Sequence, residues 1–162
     1  MSIEIDLPRI RPTLQSVIEY FESHAEKEPE PMLNPDDVTA GVISSEGKKD
    51  SAVLIPIYEK NGELRVMLTW RSAHLRSHAG QICFPGGRVD DTDADCFETA
   101  LRETHEEVGL DRADVKILGK LGKYYTQGGY SITPVVGYVE DPGEFHPNPD
   151  EVAAIIEPPL DF

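Results

Sequence analysis

Three glutamates at helical spacing constrain this chain more than any other feature. Between Arg102 and Gly109 it reads Arg-Glu-Thr-His-Glu-Glu-Val-Gly, with Glu103, Glu106 and Glu107 at i, i+3 and i+4. On a helix they share one face within about 100° of arc. Carboxylates packed that closely repel one another unless a cation sits among them. Hard divalent ions such as Mg²⁺ or Mn²⁺ take all-oxygen ligand sets of this kind. A solvated acidic helix face is the plainer alternative for a Glu-rich helix, and the flanking sequence decides between the two.

Upstream stand Phe84-Pro85-Gly86-Gly87 and an acidic, turn-like stretch from Asp90 to Asp95. Asp95 is suited to cap a helix, with Glu98 three residues on as in a capping box. Phe97, Ala100, Leu101 and Val108 form one apolar stripe at helical spacing, and Gly109 follows as the C-cap. The glutamate face is expected well away from that stripe, so the helix buries one side and presents carboxylates on another. A glycine loop feeding such a helix lets backbone carbonyls and amides approach a pyrophosphate while the helix fixes the metal ligands.

Elsewhere the periodicity predicts an amphipathic helix from Thr13 to about Ala25, with Leu14, Val17, Ile18 and Phe21 on one side. Ala52 to Tyr58 reads as a central strand in which Pro56 costs one ladder donor and implies a local edge or bulge. Asn61-Gly62 is a hairpin turn, and Leu64 to Thr69 is the returning strand. Val115 to Tyr125 and Ser131 to Glu140 read as two further strands, and Asp150 to Ile156 begins like a strand or a helix entry. Residues 1–50 are read as an extension with one amphipathic helix, and 51–162 as the main domain.

Thirty acidic against fifteen basic residues give a net charge of −15, which disfavours binding to nucleic acid or anionic membranes. It also makes a metal more necessary for a polyanionic substrate; Arg71, Arg76, Arg88 and Arg102 cluster around the motifs and supply local positive charge. Cys83 and Cys96 read as reduced, structural thiols. No apolar run approaches the roughly 18 residues of a membrane-spanning helix. The N-terminus, Met1-Ser2-Ile3-Glu4-Ile5-Asp6, is unlike a signal or transit peptide; the expectation is a cytoplasmic protein.

Gly87, five residues, Asp93, eight residues, then Arg102 to Leu110 resembles the Nudix box, the mark of hydrolases of nucleoside diphosphates linked to another moiety. Every charged position of its second half matches. Asp93 stands where the family usually has glutamate, the spacing to the arginine is one residue longer, and Thr104 replaces an aliphatic position. Met67-Leu68-Thr69-Trp70-Arg71-Ser72, with Arg76, Gly80 and Phe84 to Gly87, is similar to the signature of the coenzyme A pyrophosphatase branch, with Met67 in place of leucine. Tyr130 to Val136 is also similar to that branch. The two abutting motifs cover residues 67–110.

The resemblance implies an α/β fold, a Nudix-type α/β/α sandwich with a mixed β-sheet and a loop-helix catalytic motif. It implies coenzyme A or its thioesters as substrate, with 3′,5′-ADP and 4′-phosphopantetheine as products. Mg²⁺ or Mn²⁺ would be held by Glu103, Glu106, Glu107 and a backbone carbonyl of Gly86 or Gly87. Glu103 is the first choice to take the proton of the attacking water, with Glu107 and Glu151 as alternatives. Arg102, four residues before Glu106, can orient that carboxylate; its plainer reading is a surface ion pair worth less than about 1 kcal/mol. Arg71 and Arg76 suit phosphate oxygens, or equally brace their loop. His74, His78 and His105 are left unassigned, because Mg²⁺ disfavours imidazole.

Two other functions compete. One is hydrolysis of a different nucleoside diphosphate derivative, such as ADP-ribose, NADH, a nucleotide sugar or a dinucleoside polyphosphate. The other is a non-catalytic binding module, which predicts loss of a metal-ligand glutamate, and none is lost. Proteins of this fold are often dimers, so a homodimer is expected by analogy. The branch usually continues through another helix where this chain stops at Phe162, so a short member and a truncated one both stay open.

Overall fold

A computed structural model describes residues 11–33 and 47–161; the N-terminal stretch Met1 to Asp6 and the terminal Phe162 lie outside them. Helix α1 (Leu14–His24) starts at Thr13, whose hydroxyl accepts from the Ser16 N–H while the Ser16 hydroxyl accepts from the Thr13 N–H. Nine strands follow: β1 (Lys49–Lys60), β2 (Glu63–Val66), β3 (Leu68–Arg71), β4 (Ile82–Cys83), β5 (Gly86–Arg88), β6 (Val115–Lys120), β7 (Tyr124–Tyr125), β8 (Tyr130–Val139) and β9 (Val152–Ile156). Between β5 and β6 lies helix α2 (Cys96–Val108).

The main sheet has the order β2-β1-β8-β6, with β5 beside β1 and β7 beside β8. Its β1–β8 pairing is parallel and the others are antiparallel, so the sheet is mixed, as expected. β1 is central. Its period of two feeds two cores: Ala52, Leu54 and Tyr58 join Ala100 and Val108 of α2, whereas Ile55 and Ile57 join Leu14, Val17 and Phe21 of α1. The sheet is thus sandwiched between helices, the layering anticipated from the sequence.

Pro56 is accommodated at a break in pairing on one side of β1, while on the other side β8 pairs through it, Pro56 opposite Gly137. β5 ends its register with β1 at Val53, and β2 begins at Ile57. In that gap the Pro56 carbonyl accepts from the Met67 N–H at 3.0 Å, and the missing Pro56 donor leaves no ladder rung empty. The hairpin forms at Asn61-Gly62, both at positive φ (54° and 74°), as a two-residue turn of this type requires.

The returning strand is not the single element the sequence suggests. It divides at Met67: β2 stays in the main sheet, while β3 enters a second sheet of order β4-β3-β9. Val115 to Tyr125 likewise divides into β6 and β7. Among the described residues no helix is long and apolar enough to cross a membrane.

Candidate active site

Local chemistry sets the ends of α2. Asp95 caps it by accepting from the Glu98 N–H at 2.9 Å, and Gly109 closes it in the left-handed conformation, φ 73°. Glu98 turns its own carboxylate to Arg112 at 2.6 Å.

The glutamates do not share one exposed face. Glu107 is buried at 4% exposure, and Glu106 has 52% of its side chain exposed. Glu107 lies two helical turns from Ala100, at i+7 and hence almost above it, so it follows Ala100 against the sheet. This corrects the expectation that carboxylates and apolar stripe are well separated. Burial and the neighbouring carboxylates of Glu103 and Glu151 push the Glu107 carboxyl up to about 8, against the pull of Arg71 and a hydrogen bond from the Gly86 backbone. Burial also raises Glu103, with Arg102 opposing it.

Arg102 reaches further than Glu106. Its Nε and Nη2 donate to the two Asp93 oxygens at 2.9 Å each, Nη1 donates to Glu103 at 3.0 Å, and Nη2 also reaches the Arg88 carbonyl at 3.1 Å. Glu106 is its most distant partner, at 3.5 Å. The arginine therefore ties the turn before α2 to the end of β5 and orients Glu103 rather than chiefly Glu106. Asp93 accepts additionally from Thr99 and from the Asp90 N–H, and Arg102 foremost, with these two donors, holds its carboxyl well below the usual range.

Gly87 lies directly against Glu103: a β-carbon there would stand 2.5 Å from the carboxylate carbon. Gly86 is pressed onto β1, where a β-carbon would come within 2.6 Å of the Val53 Cα. Both glycines serve close approach of backbone to neighbour.

These groups line one cavity of about 460 Å³. Gly86, Gly87, Glu103, Glu107, Arg71 and Glu151 stand along it, with Phe84, Arg88, His78, Gln81 and Tyr130 also in its wall. Arg76 is exposed and is not part of the lining; Glu106 is not part of it either. Glu151 arrives from the start of β9, where its carbonyl accepts from the Ser72 N–H, and its Oε2 is buried without a hydrogen-bond partner, as is the Nε of Arg71.

An all-oxygen donor set with one orphaned carboxylate oxygen suits a hard divalent cation. Among the described residues no three acidic, histidine or cysteine side chains are already gathered at ligating distance, so the carboxylates line the cavity without forming a closed cage. His78, Gln81 and Tyr130 were not assigned from sequence; the one available signal was that Tyr130 opens the segment similar to the coenzyme A pyrophosphatase branch.

The family model of the NUDIX domain matches residues 48–161, most of the chain. The chain belongs to the Nudix hydrolase family. This Nudix chain is 47% identical over 114 residues to the uncharacterized Nudix hydrolase NudL of Pectobacterium atrosepticum, covering 70% of this chain and 59% of that protein. It is 48% identical over 110 residues to NudL of Yersinia enterocolitica, covering 68% and 56%. It thus spans less than two thirds of the length of these curated relatives.

Among solved structures, the M. smegmatis Nudix hydrolase RenU has a TM-score of 0.57 at 23% identity, covering 68% of this Nudix chain and 70% of that one. A C. elegans Ap4A hydrolase binary complex has 0.57 at 20% identity, covering 69% and 80%. The NUDIX domain of Shewanella oneidensis NrtR, complexed with ADP ribose, has 0.54 at 18% identity, covering 79% and 84%. At these identities the likeness establishes the fold. Hydrolases of the Nudix family generally use divalent metal ions.

Proposed function

We propose that this chain hydrolyses the pyrophosphate bond of coenzyme A or its thioesters, releasing 3′,5′-ADP and 4′-phosphopantetheine or its acyl derivative. The reading rests on one observation: Arg71, Phe84, Gly86 and Gly87, all from the 67–87 signature, line the same cavity as Glu103 and Glu107. A guanidinium beside paired carboxylates gives one end of the cavity an affinity for phosphate and the other an affinity for a cation.

Glu103, Glu107 and the Gly86 carbonyl, which line the cavity, are proposed to hold Mg²⁺ or Mn²⁺ together with Glu106, whose exposed side chain would turn in from beyond the lining, and Glu151 adds a further carboxylate to the same wall. Such a cation supplies electrostatic stabilisation to phosphate oxygens and lowers the pKa of a bound water. Arg71 binds the substrate phosphates. Arg102 holds one oxygen of Glu103 in place, leaving the second to take the proton of the attacking water. The Glu107 carboxyl, raised to about 8 by burial and its neighbours, would give up its proton on ligating the cation.

Arg76 does not share the cavity, so substrate binding is assigned to Arg71 with Gly86 and Gly87. Cytoplasmic location and a homodimer accompany this reading as proposals.

The deciding experiment is hydrolysis of coenzyme A, acetyl-coenzyme A, ADP-ribose, NADH and a diadenosine polyphosphate with Mg²⁺ or Mn²⁺, products resolved by chromatography. Preferential release of 3′,5′-ADP from coenzyme A is expected. Preferential cleavage of ADP-ribose or NADH would discard the specificity drawn from the loop, and no turnover on any of them would discard the enzymatic reading of this chain.

A further inference from the structure

We propose that His78 and Tyr130 form an aromatic platform that binds the nucleobase of the substrate. The two rings stand edge to face, with centroids 6.4 Å apart and planes inclined by 63°, and both line the cavity that contains Glu103 and Glu107. They come from distant parts of the chain: His78 from the loop between β3 and β4, Tyr130 from the first position of β8.

His78 is held at φ 54°. Among described residues other than glycine, the only other positive φ is at Asn61, where the hairpin turn calls for it. A histidine in this conformation needs its surroundings to impose it, and such positions gather at ligand sites. Here the surroundings are on hand. The Gln81 N–H donates to the His78 carbonyl, the Arg71 N–H to the Gln81 carbonyl and the Gly80 N–H to the Arg71 carbonyl. The Gln81 side chain also meets the His78 ring at Nδ1, 3.1 Å away. The imidazole is thus fixed within the loop that follows Arg71, the last residue of β3, while remaining exposed.

Sheet register sets the distance between platform and catalytic end. Gly86 pairs with Val53, which pairs with Pro134 of β8. Tyr130 is four residues before Pro134 on the same strand, about 13 Å at about 3.3 Å per residue. That is comparable to the reach of a nucleotide from its phosphate to the far edge of its base. Between them lie Arg88, Ser51 and Ile132, in register across β5, β1 and β8 and all in the cavity wall. A diphosphate held at Arg71 and the glycines therefore carries its base toward the two rings, where stacking on a π-face favours any nucleobase over an aliphatic group.

The inference rests on the cavity being a nucleotide diphosphate site, but its test does not require turnover. Equilibrium binding of ADP and of base-free ribose 5-diphosphate would be measured by calorimetry on the unmodified chain and on His78→Ala, His78→Phe and Tyr130→Leu. ADP should bind the unmodified chain about tenfold more tightly than ribose 5-diphosphate. His78→Ala and Tyr130→Leu should close most of that gap by weakening ADP alone, and His78→Phe should keep it. Because His78 is exposed on a loop, its variants test the idea even if Tyr130→Leu fails to fold. A gap that persists in His78→Ala, or none in the unmodified chain, overturns the platform. ADP binding that depends on both rings in a protein that does not cleave coenzyme A would overturn the substrate assignment above and leave the platform standing.

Discussion

Arg102 and Asp93 face each other through two parallel hydrogen bonds, Nε to Oδ1 and Nη2 to Oδ2, each 2.9 Å long. The Asp93 side chain is 4% exposed and that of Arg102 23%, so the pair is largely shielded from water. Removing one partner of such a pair leaves the other charge inside without compensation, which typically costs about 3–5 kcal/mol.

Asp93→Asn should therefore lower stability by about 3 kcal/mol and loosen Glu103, because Arg102 loses its anchor. Chemical denaturation gives the first effect and kcat the second. The folded carboxyl is depressed, so its contribution is present above the ordinary aspartate value of about 3.9 and is lost as pH falls below it. Unmodified chain and variant should accordingly differ at pH 7 and converge in strong acid. Equal stabilities at pH 7 would remove the clamp from the account.

The sign is opposite at Glu107. Its folded pKa is raised to about 8, so the folded chain binds more protons than the unfolded one between the ordinary glutamate value, about 4.3, and 8. Without divalent metal, stability should fall across that window by a few kcal/mol, an order-of-magnitude figure for a buried group. Melting temperature against pH in EDTA should slope downward for the natural sequence and flatten in Glu107→Gln. A flat natural profile would show that Glu107 titrates like an exposed carboxyl.

Added Mg²⁺ or Mn²⁺ should reverse that loss by displacing the proton and pairing the charge. The natural sequence should gain melting temperature on titration with metal and release protons at pH 7. Glu107→Gln should fold, gain little from metal, and lose turnover by about 100-fold or more. Full activity in this variant would refute Glu107 as a ligand.

Gly86 and Gly87 should fail differently. In Gly87→Ala the new methyl meets the Glu103 carboxylate, so kcat should drop at least about tenfold, with a stability loss near 1 kcal/mol. In Gly86→Ala it meets the Val53 and Ala52 backbone, which cannot yield without parting β5 from β1. The expected result is a stability loss of about 2–3 kcal/mol. Thermal melts beside kinetics separate the two, and matching profiles would count against this division.

Arg71→Ala should raise KM at least about tenfold, because the guanidinium lines the cavity and Lys cannot replace its fork. Arg76→Ala, on an exposed side chain outside the lining, should change KM less than about twofold. Reversed effects would mean that the loop closes over substrate with Arg76 inside.

What the sequence determined by itself was local. The Asp95 cap, the Gly109 stop, the Asn61-Gly62 hairpin and the period-2 burial of β1 depend on neighbours in the chain, and each is found where the residue pattern puts it. The Nudix family was legible for the same reason, since its box and loop are contiguous motifs. Tertiary structure decided the rest. A helical projection sets Glu107 over Ala100 and Glu106 about 100° away, but only the sheet packed against α2 fixes how deeply that side is buried and that a carboxylate goes with it. Met67 ends one sheet and opens the next because β9, from the far end of the chain, pairs with β3; nothing near Met67 in sequence announces it. The same pairing carries Glu151 into the cavity, and the parallel β1–β8 pairing sets Tyr130 beside His78. Contacts between residues so distant in sequence arise from the packing of whole elements, and a linear pattern does not record that packing.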